Sequence, residues 1–400
     1  MTAQDGTLRR GVRTGSRRAG APGTGRTHAR QPERNNESRP NPGRRMSSEQ
    51  ACAVELLRAQ VAIVRALLLK APAFDPTRPH WYVAVSDCGA EAHFHVLQLA
   101  AALRFARHDM FVRHVRWLRL VLTHRGLPDE SILQSLRALV ETLRDCLPAA
   151  ASARAAECVE AAIAGYHTAD ASPVTPPGPL QRECVDALLA THAAPMQHLA
   201  ATAARTSLDP AAYCVSVLGP ALHEVGRLWQ VNAVSIDQEH QCTARAVKLL
   251  ATLFPSPPPT AGRPTAICAC VVGERHELGL EMVACVLRTR GWNVIWQDQH
   301  LDPSGLLREV VEARAQLLAL SATMLQHLHT MEALIAAVRA MPECAGVQVL
   351  VGGQAFAKDP GAWKEIGADA TAADAIEAAE VAGRLVRPNR VQTDSNGCDD

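Results

Sequence analysis

Long apolar runs are missing from this 400-residue chain. No stretch reaches the about 18 uninterrupted apolar residues that a spanning helix needs, so no membrane association is expected. The start lacks the charged, apolar, small-residue succession of an export signal. A surplus of either charge is missing too: 41 Lys and Arg stand against 40 Asp and Glu. Cysteine occurs 12 times without a single CxxC pair. No zinc site is therefore readable, and reduced, buried thiols in a cytoplasmic protein are expected. Apolar residues make up 48% of the chain, enough for a folded protein of two to four domains.

The organisation follows from composition and periodicity. Residues 1–48 carry 11 arginines against three acids and almost nothing apolar. Such a segment cannot bury a core and is expected to be a disordered, solvated basic tail. Residues 389–400 read as a second tail. Between them, residues 49–168 read as an all-helical domain, with helical spacing over 50–69, 90–107, 110–124, 129–147 and 152–164. A linker at 170–179 leads to a helical bundle over 180–254, with helices at 180–192, 196–205, 210–230 and 235–253. The proline-rich segment 255–264 is a second linker. From there to residue 388, apolar runs at 266–272, 293–297, 317–321, 347–351 and 368–371 alternate with helical stretches. That alternation is the pattern of parallel strands joined by crossover helices.

The first of these strands breaks at Gly273 into Glu274-Arg275-His276-Glu277-Leu278-Gly279. Ligands of open α/β sheets bind at the carboxyl ends of strands, so His276 is placed to coordinate a group above the sheet. Glu274 can accept the proton of its other ring nitrogen, and Gly279 lets the backbone turn closely into the next helix. The E-x-H-x-x-G pattern resembles the cobalamin-binding motif of corrinoid proteins, in which the histidine takes the lower face of cobalt. That resemblance covers about 120 residues. It implies that Ser321, after the third strand, and Gly352 and Gly353, after the fourth, receive the nucleotide tail of the cofactor.

A second pattern lies in the bundle: Trp229, nine residues, then Glu239-His240. Singly, these residue types are ordinary core, solvated and surface positions. At this spacing they resemble the helical cap of CarH-type light-sensing cobalamin proteins. The resemblance implies Trp229 over the upper face of adenosylcobalamin, Glu239 at the adenosyl group, and His240 as a second cobalt ligand after illumination. The fold expected for the whole chain is an N-terminal all-helical domain, a four-helix-bundle cap, and a C-terminal flavodoxin-like (Rossmann-like) five-stranded parallel sheet.

The N-terminal segment departs from that family. CarH-type repressors begin with a winged helix, whereas residues 49–168 show no basic recognition helix with a hairpin wing. Direct DNA binding is therefore not expected. Residues 81–117 instead hold six aromatics, including Trp81, Tyr82, Phe94, Phe111 and Trp117, with His80, His93, His95, His108, His114 and His124 in or beside them. A helical core with surface histidines is one reading. The other is a pocket for a flat conjugated ligand, and the segment around His93-Phe94-His95 and Trp117 resembles the bilin domain of photocobilins. That resemblance implies biliverdin or a related bilin, held also by Arg113 and Arg116, with Cys88 as an attachment point. The leading expectation is thus a non-enzymatic cobalamin photoreceptor with small-molecule chromophores, self-association and a downstream protein partner. A corrinoid carrier for methyl transfer and a light-independent cobalamin-sensing regulator are the alternatives.

Overall fold

The computed structural model describes residues 46–70, 88–168, 176–191, 195–255, 258–297, 302–357, 359 and 361–386. The expected tails, except residues 46–48, and the expected ligands Trp81 and Tyr82 lie outside these residues, as does the Cys88 side chain; Ser48, expected in the tail, instead opens the first helix.

Five helices open the described chain: α1 (Ser48–Lys70), α2 (Cys88–Arg104), α3 (His108–Thr123), α4 (Asp129–Cys146) and α5 (Ala149–Ala164). Their packing follows from helical spacing of apolar residues. In α3, Met110, Phe111, His114, Val115, Leu118, Val121 and Leu122 form one buried stripe, while Arg113 and Arg116 lie outside it.

The bundle comprises α6 (Pro179–Leu189), α7 (Pro195–Ala204), α8 (Pro210–Tyr213), α9 (Gly219–Gln230) and α10 (Ile236–Leu253). Helices α8 and α9 are joined by a single π turn, Cys214–Leu218. Pro220 accounts for it, because it has no N–H to give to the Ser216 carbonyl. The Gln181 amide donates to that carbonyl instead, at 2.9 Å. Helix α10 begins at a reciprocal cap between Ser235 and Gln238.

The α/β domain runs β1 (Thr265–Cys270), α11 (Leu278–Thr289), β2 (Asn293–Gln297), α12 (Pro303–Glu312), β3 (Leu317–Ser321), α13 (His327–Ala340), β4 (Gln348–Gly352), α14 (Gln354–Ala357), α15 (Ala362–Glu365), β5 (Ala370–Ala372) and α16 (Ala375–Leu385). All strand pairs are parallel, in the order β2-β1-β3-β4-β5, which is the flavodoxin-like order. The expected fold class is observed. Three strands differ from their expected limits, β4 only by a shift of one residue. β1 stops at Cys270 because Val271 to Glu274 forms a turn, closed by the Glu274 N–H donating to the Val271 carbonyl at 3.0 Å. Val272 consequently stands 54% exposed. β5 begins two residues later than expected.

Alternation along the strands sends the sheet's two faces to different partners. Ile267, Ala269, Leu318 and Leu320 join α12, α13 and the core of the N-terminal helices in one apolar cluster. Ala266, Cys268, Cys270, Leu317 and Ala319 join α11, α16 and the bundle in a second. The N-terminal helices are further fixed to the α/β domain by ion pairs. Arg104 makes a two-pronged pair with Glu332, and Arg107 pairs with Asp359 and Glu365. Among the described residues, no helix is long and apolar enough to cross a membrane.

Candidate cofactor site

The site sits at the switch point of the sheet, where β1 and β3 lie side by side and their connections leave in opposite directions. Gly273 takes φ +87°, a conformation that favours glycine, and so turns Glu274 back under the sheet edge. The Glu274 side chain is 1% exposed. Its Oε1 accepts from His276 Nδ1 at 2.6 Å and from the His276 backbone N–H at 2.9 Å. Its Oε2 accepts from the Thr323 N–H at 2.7 Å.

These contacts decide charge and tautomer. Burial pushes the Glu274 carboxyl up, but the His276 hydrogen bond and charge, with the Thr323 and His276 amides, outweigh it and hold it at about 2. The same bond raises His276, against burial, and Glu239 of α10 adds a weaker electrostatic pull. In the neutral ring Nδ1–H is given to Glu274, so it is the second nitrogen that loses its proton when a metal binds, on a side chain that is 59% exposed.

The other expected residues of the sheet domain lie along one edge. Cys270, Ser321, Gly352 and Ala372 are in register across β1, β3, β4 and β5. Gly353 takes φ +99°, and a Cβ there would overlap the Ala322 carbonyl oxygen and stand 3.0 Å from Ser321 Oγ. The loops after β3 and β4 thus close on each other only because residue 353 has no side chain. Gly279 differs from expectation. It lies inside α11 without a positive φ, and a Cβ on it would meet nothing within 4 Å. Its lack of a side chain leaves open space beside the loop of His276 instead of shaping a turn.

On the bundle side, Glu239 and His240 are neighbours at 3.7 Å near the start of α10, and Thr243 donates to Glu239. Glu239 is near enough to the His276 loop to act on His276 electrostatically. His223 of α9 reaches Gln354 beside the glycine pair at 3.3 Å. Trp229 is held from the N-terminal domain. The Arg125 guanidinium lies 4.8 Å from its ring centre and donates to the Trp229 and Gln230 carbonyls at 2.7 and 3.0 Å.

Sequence reasoning missed Arg125, Gln98, Gln326 and His327. The signal for His327 was available: it follows the β3 loop, next to the β1 loop. Arg125 had no local signal.

The residues expected to hold a bilin are only partly together. His95 Nδ1 and His114 Nε2 lie 2.7 Å apart, both buried, and His114 stacks on Trp117 at 5.8 Å with Phe94 beside it. His93 instead contacts Gln60 at 2.6 Å. Arg113 pairs with Asp109, and Arg116 donates to the Gly165 carbonyl. The apolar cavity beside His95 and His114 has room for about one water molecule.

Burial lowers His95 to about 3, and burial and then His95 lower His114 well below its ordinary value. Both therefore stay neutral in the fold while titrating near 6.5 once unfolded. Their contribution is complete above that pH and is lost as pH falls below it. For His95 alone the loss is about 2 kcal/mol at pH 5. Urea melts at pH 7 and pH 5 should differ by at least this amount, and His95→Gln should reduce the difference.

Ten free cysteines occur among the described residues, nine of them buried. Burial pushes Cys268 and Cys270 to about 12, so they are inert core thiols. No cluster of three metal-ligating side chains occurs among the described residues. A corrinoid brings its own equatorial donors, so one anchored, exposed imidazole beside a glycine cradle fits it.

Comparison with known proteins points the same way. Residues 264–380 match a B12 binding domain family, and residues 180–253 match a second family of the same description. The chain is 29% identical over 150 residues to the HTH-type transcriptional repressor CarA of Myxococcus xanthus, covering 38% of this chain and 50% of CarA. It is 30% identical over 150 residues to the HTH-type transcriptional repressor CarH of the same organism, covering 37% of this chain and 49% of CarH. These likenesses support a CarH-like cobalamin-binding module in residues 180–380. The chain spans about half the length of the curated relatives it matches. A solved monomethylamine corrinoid protein of Methanosarcina barkeri is 20% identical with a TM-score of 0.43, over 52% of this chain and 96% of that one.

One expectation is corrected here. The absence of direct DNA binding does not stand, because both curated relatives of the module are HTH-type transcriptional repressors. The expectation rested on a missing recognition helix in residues 49–168. That excludes one way of reading base edges in one segment. It does not exclude phosphate contacts, which need only accessible cations, and residues 1–48 carry 11 arginines.

Proposed function

We propose that this chain is a cobalamin-dependent light sensor that works as a regulator and not as an enzyme. The observation that carries the reading is the Glu274–His276 pair. A buried carboxylate fixes the imidazole with its free nitrogen outward, at the switch point and within electrostatic reach of the bundle residue Glu239. His276 would hold cobalt from below, while Ser321, Gly352 and Gly353 would take the nucleotide tail and Gly279 would leave room beside it. Trp229, Glu239 and His240 would line the upper face, and His240 is the side chain available to take cobalt there after light. Bound adenosylcobalamin would supply a cobalt–carbon bond that visible light breaks. The relatives' names direct the output to transcription.

The test is an absorption spectrum of the full chain loaded with adenosylcobalamin in the dark, before and after green light. A light-driven shift that His240→Ala alters is expected. A spectrum indifferent to light would leave a cobalamin sensor without photochemistry. Equal retention of adenosylcobalamin by wild type and by Glu239→Ala would favour a methyl carrier.

The second chromophore rests on the His95–His114–Trp117 cluster. The same spectra, recorded after growth with a biliverdin source, should show red absorption that travels with the protein. No red band, and no response to added biliverdin, would reduce this cluster to core packing.

A further inference from the structure

We propose that Gln98, Gln326 and His327 form a polar relay that couples His276 to the N-terminal helical domain. The proposal rests on His276 being the lower cobalt ligand.

Helix α2 buries an almost wholly apolar face, with Ala92, Val96, Leu99 and Leu103 among its buried residues. Gln98 lies in that face and is 3% exposed. An amide there costs about 1–3 kcal/mol unless it is paired, so its partner matters. That partner is 228 residues away: Gln98 Nε2 donates to Gln326 Oε1 at 2.7 Å. Gln326 stands at the start of α13, and its own Nε2 meets His327 Nε2 at 3.0 Å. Since the amide nitrogen can only donate, His327 Nε2 accepts and its proton resides on Nδ1.

His327 is 6% exposed, and its Nδ1 is buried without a hydrogen-bond partner. That atom faces Glu274 Oε2 at 3.8 Å, too far for a direct bond. Glu274 already accepts from His276 on its other oxygen. Every donor in the series therefore points along one line, from Gln98 through Gln326 and His327 to the carboxylate that orients His276. The last link is the open one. A shift of the carboxylate or the ring by about 1 Å would close it. A ligand on the outer nitrogen of His276 acts on the Glu274 bond first, and hence on this gap. The N-terminal domain is thereby placed to sense the lower ligand, and by reciprocity to alter cobalamin affinity.

This goes beyond a lower histidine with its carboxylate, because it assigns positioning roles to three residues outside that pair, one of them in another domain. Neither Gln98 nor Gln326 is among the residues proposed to touch the cofactor.

The experiment is hydrogen exchange of the α2 amides in the full chain, with and without adenosylcobalamin in the dark, alongside a binding titration and a cobalamin spectrum. Wild type should show slower exchange in α2 on binding. Gln326→Leu should lose that response, with cobalamin affinity changed by no more than about tenfold and the spectrum intact. Gln98→Leu/Gln326→Leu removes both buried amides together and leaves only the His327 Nε2 acceptor without its donor, so it should fold with a modestly lowered melting temperature and still lose the response. His327→Gln keeps a donor towards Glu274 and should keep part of it, whereas His327→Leu should keep none. Retention of the full α2 response in the double variant would overturn the relay. His276→Ala separates the two failures. If it leaves spectrum and affinity unchanged, the lower-ligand reading fails. If it abolishes both while the double variant still transmits, only the relay fails.

Discussion

Replacing His276 by alanine should weaken cobalamin retention by at least about a hundredfold and change the spectrum of what remains bound. The expectation follows from the two ends of the imidazole. Nδ1 is committed to Glu274 at 2.6 Å, so the side chain offers one nitrogen, in one tautomer, at the carboxyl edge of the sheet. Removing the ring removes the only side-chain cobalt donor assigned to the lower face. Glu274→Gln should cost less, because an amide oxygen can still accept from Nδ1. It cannot also accept three N–H donors as well as a carboxylate, so a loss of about tenfold is expected, at the low end for partners of a metal-binding histidine. Equilibrium titration with hydroxocobalamin measures both. Unchanged affinity and spectrum in His276→Ala would remove the assignment.

The second large effect separates folding from binding by two glycines. Gly353→Ala would place a methyl group against the Ala322 carbonyl at a φ of +99°, with the carbonyl carbon 2.9 Å away. Backbone strain and overlap together should cost about 3 kcal/mol, and the neighbours are strand-end backbone that cannot swing aside. A lowered urea midpoint with unchanged m-value is the expected readout. Gly279→Ala should do the opposite in the cofactor-free protein. It adds a methyl group in open space within a helix, worth about 0.5–1 kcal/mol of stability. If the open space receives the cofactor, the same change weakens cobalamin binding. A Gly279→Ala protein that is more stable and binds cobalamin as wild type would show that the space serves no ligand.

These contrasts indicate how far the sequence carried. The alternation of apolar runs and helical stretches made the parallel sheet legible, and β2 and β3 were placed residue for residue. Glu274 and His276 were legible because a short local spacing encodes both members of the pair. The end of β1 was read two residues too late, because Val271 and Val272 are apolar although their backbone is committed to the turn. Gly279 was read as a turn residue, because sequence shows a missing side chain but not whether conformation or space requires it. His95 and His114 were legible as a local concentration, yet their contact depends on two helices meeting. Gln98, Arg125 and Gln326 were illegible for a stronger reason. Their partners in other domains lie 104 to 228 residues away, and polar residues joined across domains leave no periodic trace. The same limit produced the wrong expectation about DNA, which inferred an absence from one segment.

The central claim is that a protein histidine, His276, occupies the lower face of a bound corrinoid. The most direct measurement is electron paramagnetic resonance of the protein loaded with cobalamin and reduced to the cobalt(II) state. One axial nitrogen splits each cobalt line into three, and the cofactor's own base would do so as well. Growing the protein with nitrogen-15 histidine distinguishes them, since a labelled ligand gives two lines in place of three. The account predicts doublets in the labelled wild type and their disappearance in His276→Ala. Triplets that persist after labelling would mean that the cofactor's own base holds the cobalt, and would contradict the account.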